Sequence, residues 1–202
     1  MLNENNQQET TTPLSNQLSF GGHELFDAHE AIGTVINALD HYVLYSDHVQ
    51  DQELSTMMNR QKEFLTQMYN TIIQTLTTGQ VPTIKTQVYE MNEDHHSTYG
   101  MSQAAPKSPI QTSTELNDEC ISGAILGHLK AISTGFTTTA LEATNPIFRR
   151  IFADSIPNTI EMAYEVYLYQ NKHQYYQVPQ LQMQDMQMIR NSYAPVQTGM
   201  SH

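Results

Sequence analysis

The stretch GQVPTIKTQVYEMNEDHHSTYGMSQAAPKSPIQT, residues 79–112, decides the fold. It holds Pro82, Pro106, Pro109 and Gly100 and keeps no apolar period. A structureless run of this length inside one domain calls for a crossover, a lid or a linker. What flanks it is helical. Upstream, Leu25, His29, Ile32, Ile36, Leu39, Val43 and Ser46 recur at three and four, widened by Phe26, Val35 and Tyr42, which predicts a helix over about 22–48. Asp51 is a plausible N-cap for a second helix, 51–78, with the stripe Leu54, Met57, Met58, Gln61, Phe64, Leu65, Met68, Ile72 and Leu76, closed by Gly79 and Pro82. Downstream, Thr112–Glu115 has the form of a capping box and opens a third helix, 113–142, in which Gly123, Ala124, Gly127 and Ala131 invite close helix approach. Asn145-Pro146 opens a fourth, 146–175, with Pro157 expected to kink it.

Each pair of helices is joined by a few residues and folds back antiparallel. Helices of this length run about 40 Å, a distance the middle segment can span when extended. A crossover of that kind makes helices two and three parallel and gives an all-α, ferritin-like four-helix bundle over 21–176. A plain up-and-down bundle with a floppy middle loop is the alternative. Residues 1–20 (Asn, Gln and Thr) and 177–202 (Gln and Met) read as flexible arms, although Met183, Met186 and Met188 allow the second to pack along the bundle.

The chain has 202 residues, 9 Lys+Arg against 21 Asp+Glu, a net charge of −12, one Cys and no Trp. Nucleic acid and anionic membranes demand clustered cations, so neither is an expected partner. The first cation is Arg60, which argues against a secretory signal or a mitochondrial transit peptide. No apolar run of 18 residues exists, so no membrane insertion is expected. Cys120 cannot form an internal disulfide and falls on the small-residue ridge of helix three, where it reads as a core thiol.

Three segments, GGHELFDAHE (Gly21–Glu30), TGQVPTIKTQVYEM (Thr78–Met91) and RRIFADSIPNTIEMAYEVYLYQNKHQYYQVPQL (Arg149–Leu181), resemble the coat F family of spore coat proteins of Bacillus-type endospore formers. The resemblance covers about residues 14–181. It implies a ferritin-like bundle with a structural, non-enzymatic role, made in the mother-cell cytoplasm and built into the spore coat. Other coat proteins, or further copies of itself, are then the partners. It transfers no catalytic residue.

A di-metal bundle needs Glu-x-x-His on two helices. The one such pair, Glu93–His96, lies in the crossover. Depth counting puts His128 and Glu161 at one level, opposite Ile36 and Phe64, and leaves His29 about 11 Å away. A His and a Glu between two apolar residues are not a metal cage. In the first helix His23 and His29 are six apart, on different faces, and Glu24, Asp27 and Glu30 read as an acidic first turn favoured by the helix dipole. No phosphate loop or nucleophile elbow is present. No catalytic, cofactor or metal residue is therefore assigned, and no cofactor is expected. The alternative is a ferritin-like metal-binding or redox protein. Tyr164, Tyr167, Tyr169, Tyr175 and Tyr176 crowd the end of helix four and suit protein–protein contact. They would also permit dityrosine links, and the amide-rich arms transamidation.

Overall fold

A computed structural model describes residues 20–92 and 94–196. Among the described residues five α-helices are formed: α1 (Gly22–Ser46), α2 (Gln52–Thr78), α3 (Asp118–Glu142), α4 (Pro146–Lys172) and α5 (Met183–Arg190). Side chains set the boundaries. Asp51 accepts from Glu53 N at 2.8 Å to start α2. Gly79 ends α2 in the left-handed conformation, φ 65°, with its N–H on Thr75 O. Asn145 takes Ile147 N and Phe148 N, with Pro146 in the first turn of α4.

The third helix starts later than its capping box suggests. Thr112–Glu115 closes only a 3-10 turn, Ser113–Glu115, and the chain extends again at Leu116 before Asn117 accepts from Cys120 N at 3.0 Å. α4 is shorter than expected. The chain leaves it through His173 and Gln174, the latter at φ 60°. It runs unbroken past Pro157, which is exposed, the side where a missing donor costs least. The arm beyond 177 is not wholly irregular, since α5 forms there, but none of its residues is buried. The expected N-terminal arm, apart from Phe20, lies outside the described residues.

The direction of each helix follows from contacts at the two ends. Gly21 N, at the start of α1, reaches Thr144 Oγ1 beyond the end of α3 at 3.2 Å. The Asp118 carboxylate, at the start of α3, accepts from Gln50 N and Asp51 N in the α1–α2 turn at 3.0 and 3.2 Å. α2 and α3 therefore begin at the same end and run parallel, and residues 80–112 travel the length of the bundle. Lys172, at the end of α4, pairs with Glu53 at the start of α2, so these two are antiparallel. Around the bundle the order is α1, α2, α4, α3.

The core is one cluster through all four long helices, including Val35, Leu54, Leu65, Ile72, Ile125, Leu129, Phe136, Phe148, Phe152 and Val166. Phe148 and Phe152 meet edge-on at 4.9 Å, and Phe136 meets Phe152 at 5.1 Å. α1 turns a different face inward than its large residues suggest. Ile32, Val35 and Tyr42 of the expected stripe are buried with Glu24, Ala28, Ala31 and Ala38, while Leu25, Ile36 and Val43 are exposed. The alanines face inward where α3 lies close: a Cβ on Gly135 would stand 3.7 Å from Ala31 Cα. Gly127 and Ala131, by contrast, face outward, whereas Gly123 lies against α4, where a Cβ would stand 3.4 Å from Gln170 Nε2.

Candidate functional site

The crossover is a strap, not a floppy loop. It lies over α2 and α4, held by two buried asparagines of α4. Asn158 accepts from Tyr89 N at 2.9 Å and donates to Gln87 O at 2.8 Å. Asn171 accepts from Thr98 N at 2.6 Å and donates to Thr98 O at 3.0 Å. An amide side chain offers one donor and one acceptor in the sense a neighbouring strand would, so each asparagine satisfies strap backbone that α4 alone could not. Gly100 N on Val178 O then pins the strap to the chain leaving α4.

Beneath the strap lies a polar network between α2 and α4, toward the end of the bundle that carries the α1–α2 turn. Glu165 of α4 is fully buried. Its carboxylate accepts from Arg60, from Asn92 N at 3.2 Å, from Gln61 Nε2 at 2.9 Å and from Tyr89 OH at 2.5 Å. Arg60 Nε donates to Tyr89 OH at 3.1 Å. The Gln61 amide also donates to Met162 O and accepts from Tyr42 OH at 2.6 Å. Two helices, α2 and α4, and the strap thus meet at one carboxylate, and α1 joins the network through Gln61. An ionised carboxylate has about four lone-pair sites, and here four donors occupy them. The arrangement is spent on structure: Glu165 has no lone pair left for a cation or a substrate. Burial, first of all, and the nearby Glu165 charge push the Tyr89 hydroxyl well above the ordinary tyrosine value. Tyr42 is raised as well, again mainly by burial.

Sequence reasoning placed its candidate pair one turn away from this network. Glu161 is half-buried, and the structure records no hydrogen bond between it and His128. His128 instead faces His41 of α1, ring centroids 4.6 Å apart. Ile36, expected inside at that level, is exposed, and Phe64 packs edge-on against Tyr89 at 5.2 Å. Burial, then the neighbouring His41, lower the His128 pKa below the ordinary 6.5. A depressed folded value means the unfolded chain binds the proton first, so stability held above pH 6.5 is lost as pH falls. Thermal midpoints measured from pH 7 down to 5 are expected to fall less steeply in His128→Gln than in the native chain.

In the α1 cluster, His23, His29 and Glu30 are exposed and Asp27 half-buried. Glu24 is not simply a surface acid facing the dipole. It is fully buried and joins the start of α1 to the α3–α4 turn, accepting from Gly21 N at 3.0 Å, Thr144 Oγ1 at 2.6 Å and Asn145 N at 3.1 Å. Glu24→Leu strands those donors, so urea unfolding should register a loss of about 2–3 kcal/mol. Cys120 is not a core thiol either. It is half-buried in the first turn of α3 and lines an open groove of about 830 Å³ with Lys107, Ile110 and Tyr175. Of the Glu-x-x-His pair in the crossover, His96 is exposed and Glu93 lies outside the described residues.

The tyrosines divide. Tyr169 is buried, its hydroxyl on Asp51 at 3.2 Å. Tyr164 stacks on His95 and on Tyr167, and Tyr167 meets Tyr176 edge-on, a row of rings beside the strap. Tyr175 lies half-buried between His173 and Tyr169. Among the described residues, Asp51, Glu53 and His173 bring ligand atoms within 4.8 Å of one another. Their carboxylates already work as the α2 cap and as the partner of Lys172, at 2.7 Å from Glu53.

The structure is thus an all-helical bundle, strapped along its length, with a saturated carboxylate network beneath the strap. Residues 117–179 match the Coat F domain, the segment from the α3 cap to just past α4. The chain is also 43% identical over 180 residues to the spore coat protein F-like protein YhcQ of Bacillus subtilis (strain 168), covering 89% of this chain and 83% of that relative. The chain belongs to the coat F family. No solved structure matches it.

Proposed function

We propose that this chain is a structural, non-enzymatic component of the spore coat that assembles through protein–protein contacts. The observation that carries the reading is the saturated network around Glu165: this buried carboxylate is consumed in tying α2 and the strap to α4, with no acceptor site left for a ligand. Membership of the coat F family, and a relative named as spore coat protein F-like, support the location. Coat proteins and further copies of the chain are the natural partners. The acidic balance of 9 Lys+Arg against 21 Asp+Glu disfavours nucleic acid. Among the described residues no helix is long and apolar enough to cross a membrane.

Imaging a fluorescently tagged copy through sporulation tests this. Signal gathering on the forespore surface and remaining on released spores is expected. A uniform signal in vegetative cells with none on spores would sink the structural reading and return attention to a metal-binding or redox bundle.

A further inference from the structure

The strap covers α2 and α4, while α1 packs against α2 and α3 and turns its outer side to solvent. That outer side carries large apolar residues: Leu25 is 43% exposed, Phe26 75%, Ile36 42%, Val43 60% and Leu44 64%. Residues 25, 36 and 43 fall on one line of an α-helix, and residues 26 and 44 on a second line roughly 100° round from it. The rows run about 27 Å along α1. They are not the core-facing stripe, which lies on Ala28, Ala31, Val35 and Ala38.

Acids thread between them. Asp40 lies four residues after Ile36 and four before Leu44, Asp47 four after Val43, and Glu30 four after Phe26, each spacing that of helix-surface neighbours. No Lys or Arg occurs anywhere before Arg60, whose guanidinium is tied to Glu165. The next cation along the chain, Lys62, lines a notch with Ser46 and Tyr42. Among Lys, Arg, Asp and Glu, α1 itself therefore contributes only acids to this face. Two copies meeting on it would set Asp40, Asp47 and Glu30 against their own kind, in a chain already at −12. A partner with an apolar stripe flanked by Lys or Arg satisfies both features.

We propose that the outer face of α1 docks a cationic amphipathic helix of another coat component. This rests on the coat reading for the partner's identity, but the surface can be tested alone. The probe is a fluorescent, helical Leu/Lys peptide of amphipathic pattern, titrated into the full-length protein and followed by anisotropy. Binding is expected. Val43→Ser with Leu44→Ser, both exposed and so compatible with an unchanged circular dichroism spectrum, should weaken it by about ten-fold or more. Asp40→Asn with Asp47→Asn should weaken it and flatten its salt dependence. Glu90→Gln with Asp94→Asn, in the strap, should leave it unchanged.

Equal binding by a Ser/Lys peptide, or equal loss from the strap variant, would reduce the effect to overall acidity and overturn the proposal. So would a dimer in sedimentation that dissociates on Val43→Ser/Leu44→Ser, because the occupant would then be a second copy. A tagged chain absent from spores would end the coat reading without altering the peptide result, so the two failures are separable.

Discussion

Replacing Arg60 with Ala is expected to cost about 3 kcal/mol in urea unfolding, one of the largest single effects in the molecule. The residue looks like an ordinary helix-surface cation, and its side chain is 28% exposed, but its partner Glu165 is 0% exposed. Removing the guanidinium leaves a carboxylate in the bundle without a cation, facing Tyr89, Gln61 and one backbone N–H. Breaking such a pair typically costs about 3–5 kcal/mol, and the partial exposure of Arg60 puts this case at the lower end. The exposed pair Lys172–Glu53 is the internal control: Lys172→Ala should cost less than about 1 kcal/mol.

A double variant tests the cause. Glu165→Gln removes the stranded charge while keeping an acceptor, so Arg60→Ala/Glu165→Gln should be more stable than Arg60→Ala alone. A cost for Arg60→Ala no larger than that for Lys172→Ala would mean that Glu165 does not depend on its cation.

How much of this was legible from the chain depends on range. Both ends of α2 and the start of α4 could be read directly because Asp51, Gly79, Asn145 and Pro146 act within a few residues of themselves. The start of α3 was misread because Thr112 and Glu115 do bond to each other, at 3.1 Å, but cap only a 3-10 turn. α1 was read about a quarter-turn off. Hydrophobic size marks the core only where neighbours leave room for it, and close approach of α3 makes alanine the inward residue. Glu165 was passed over for Glu161, one turn earlier, since nothing local separates them. The available signal was Gln61, a polar residue on the apolar line of α2. A buried amide there demands partners, and the strongest acceptor that packing could supply was a carboxylate on another helix. Its exact position, about a hundred residues away, depended on the register of α2 against α4, which no local pattern encodes.

Tyr89→Ala is expected to free the strap. The ring is buried, packs edge-on against Phe64, and places its hydroxyl between Glu165 and Arg60. Losing it removes an aromatic contact and one donor to a buried carboxylate, together about 3–5 kcal/mol. The loss is concentrated in a segment tied down elsewhere by hydrogen bonds from Asn158 and Asn171, so limited proteolysis should show cleavage within residues 80–112 accelerating well before the helices are cut. Tyr89→Phe separates the ring from the hydroxyl. It keeps the packing, should cost about 1–2 kcal/mol, and should leave the strap protected. The two variants also differ at high pH. The raised pKa of Tyr89 means that the unfolded chain loses its phenolic proton first, so the tyrosine's contribution is intact below about pH 10 and is lost as pH rises beyond it. Tyr42, Tyr169 and Tyr175 are shifted in the same direction and add to the slope. Stability measured from pH 9 to 11 should therefore decline less steeply in Tyr89→Phe than in the native chain. If Tyr89→Phe opened the strap to protease as fully as Tyr89→Ala, the hydroxyl bond to Glu165, and not the ring against Phe64, would be what holds the crossover on the bundle.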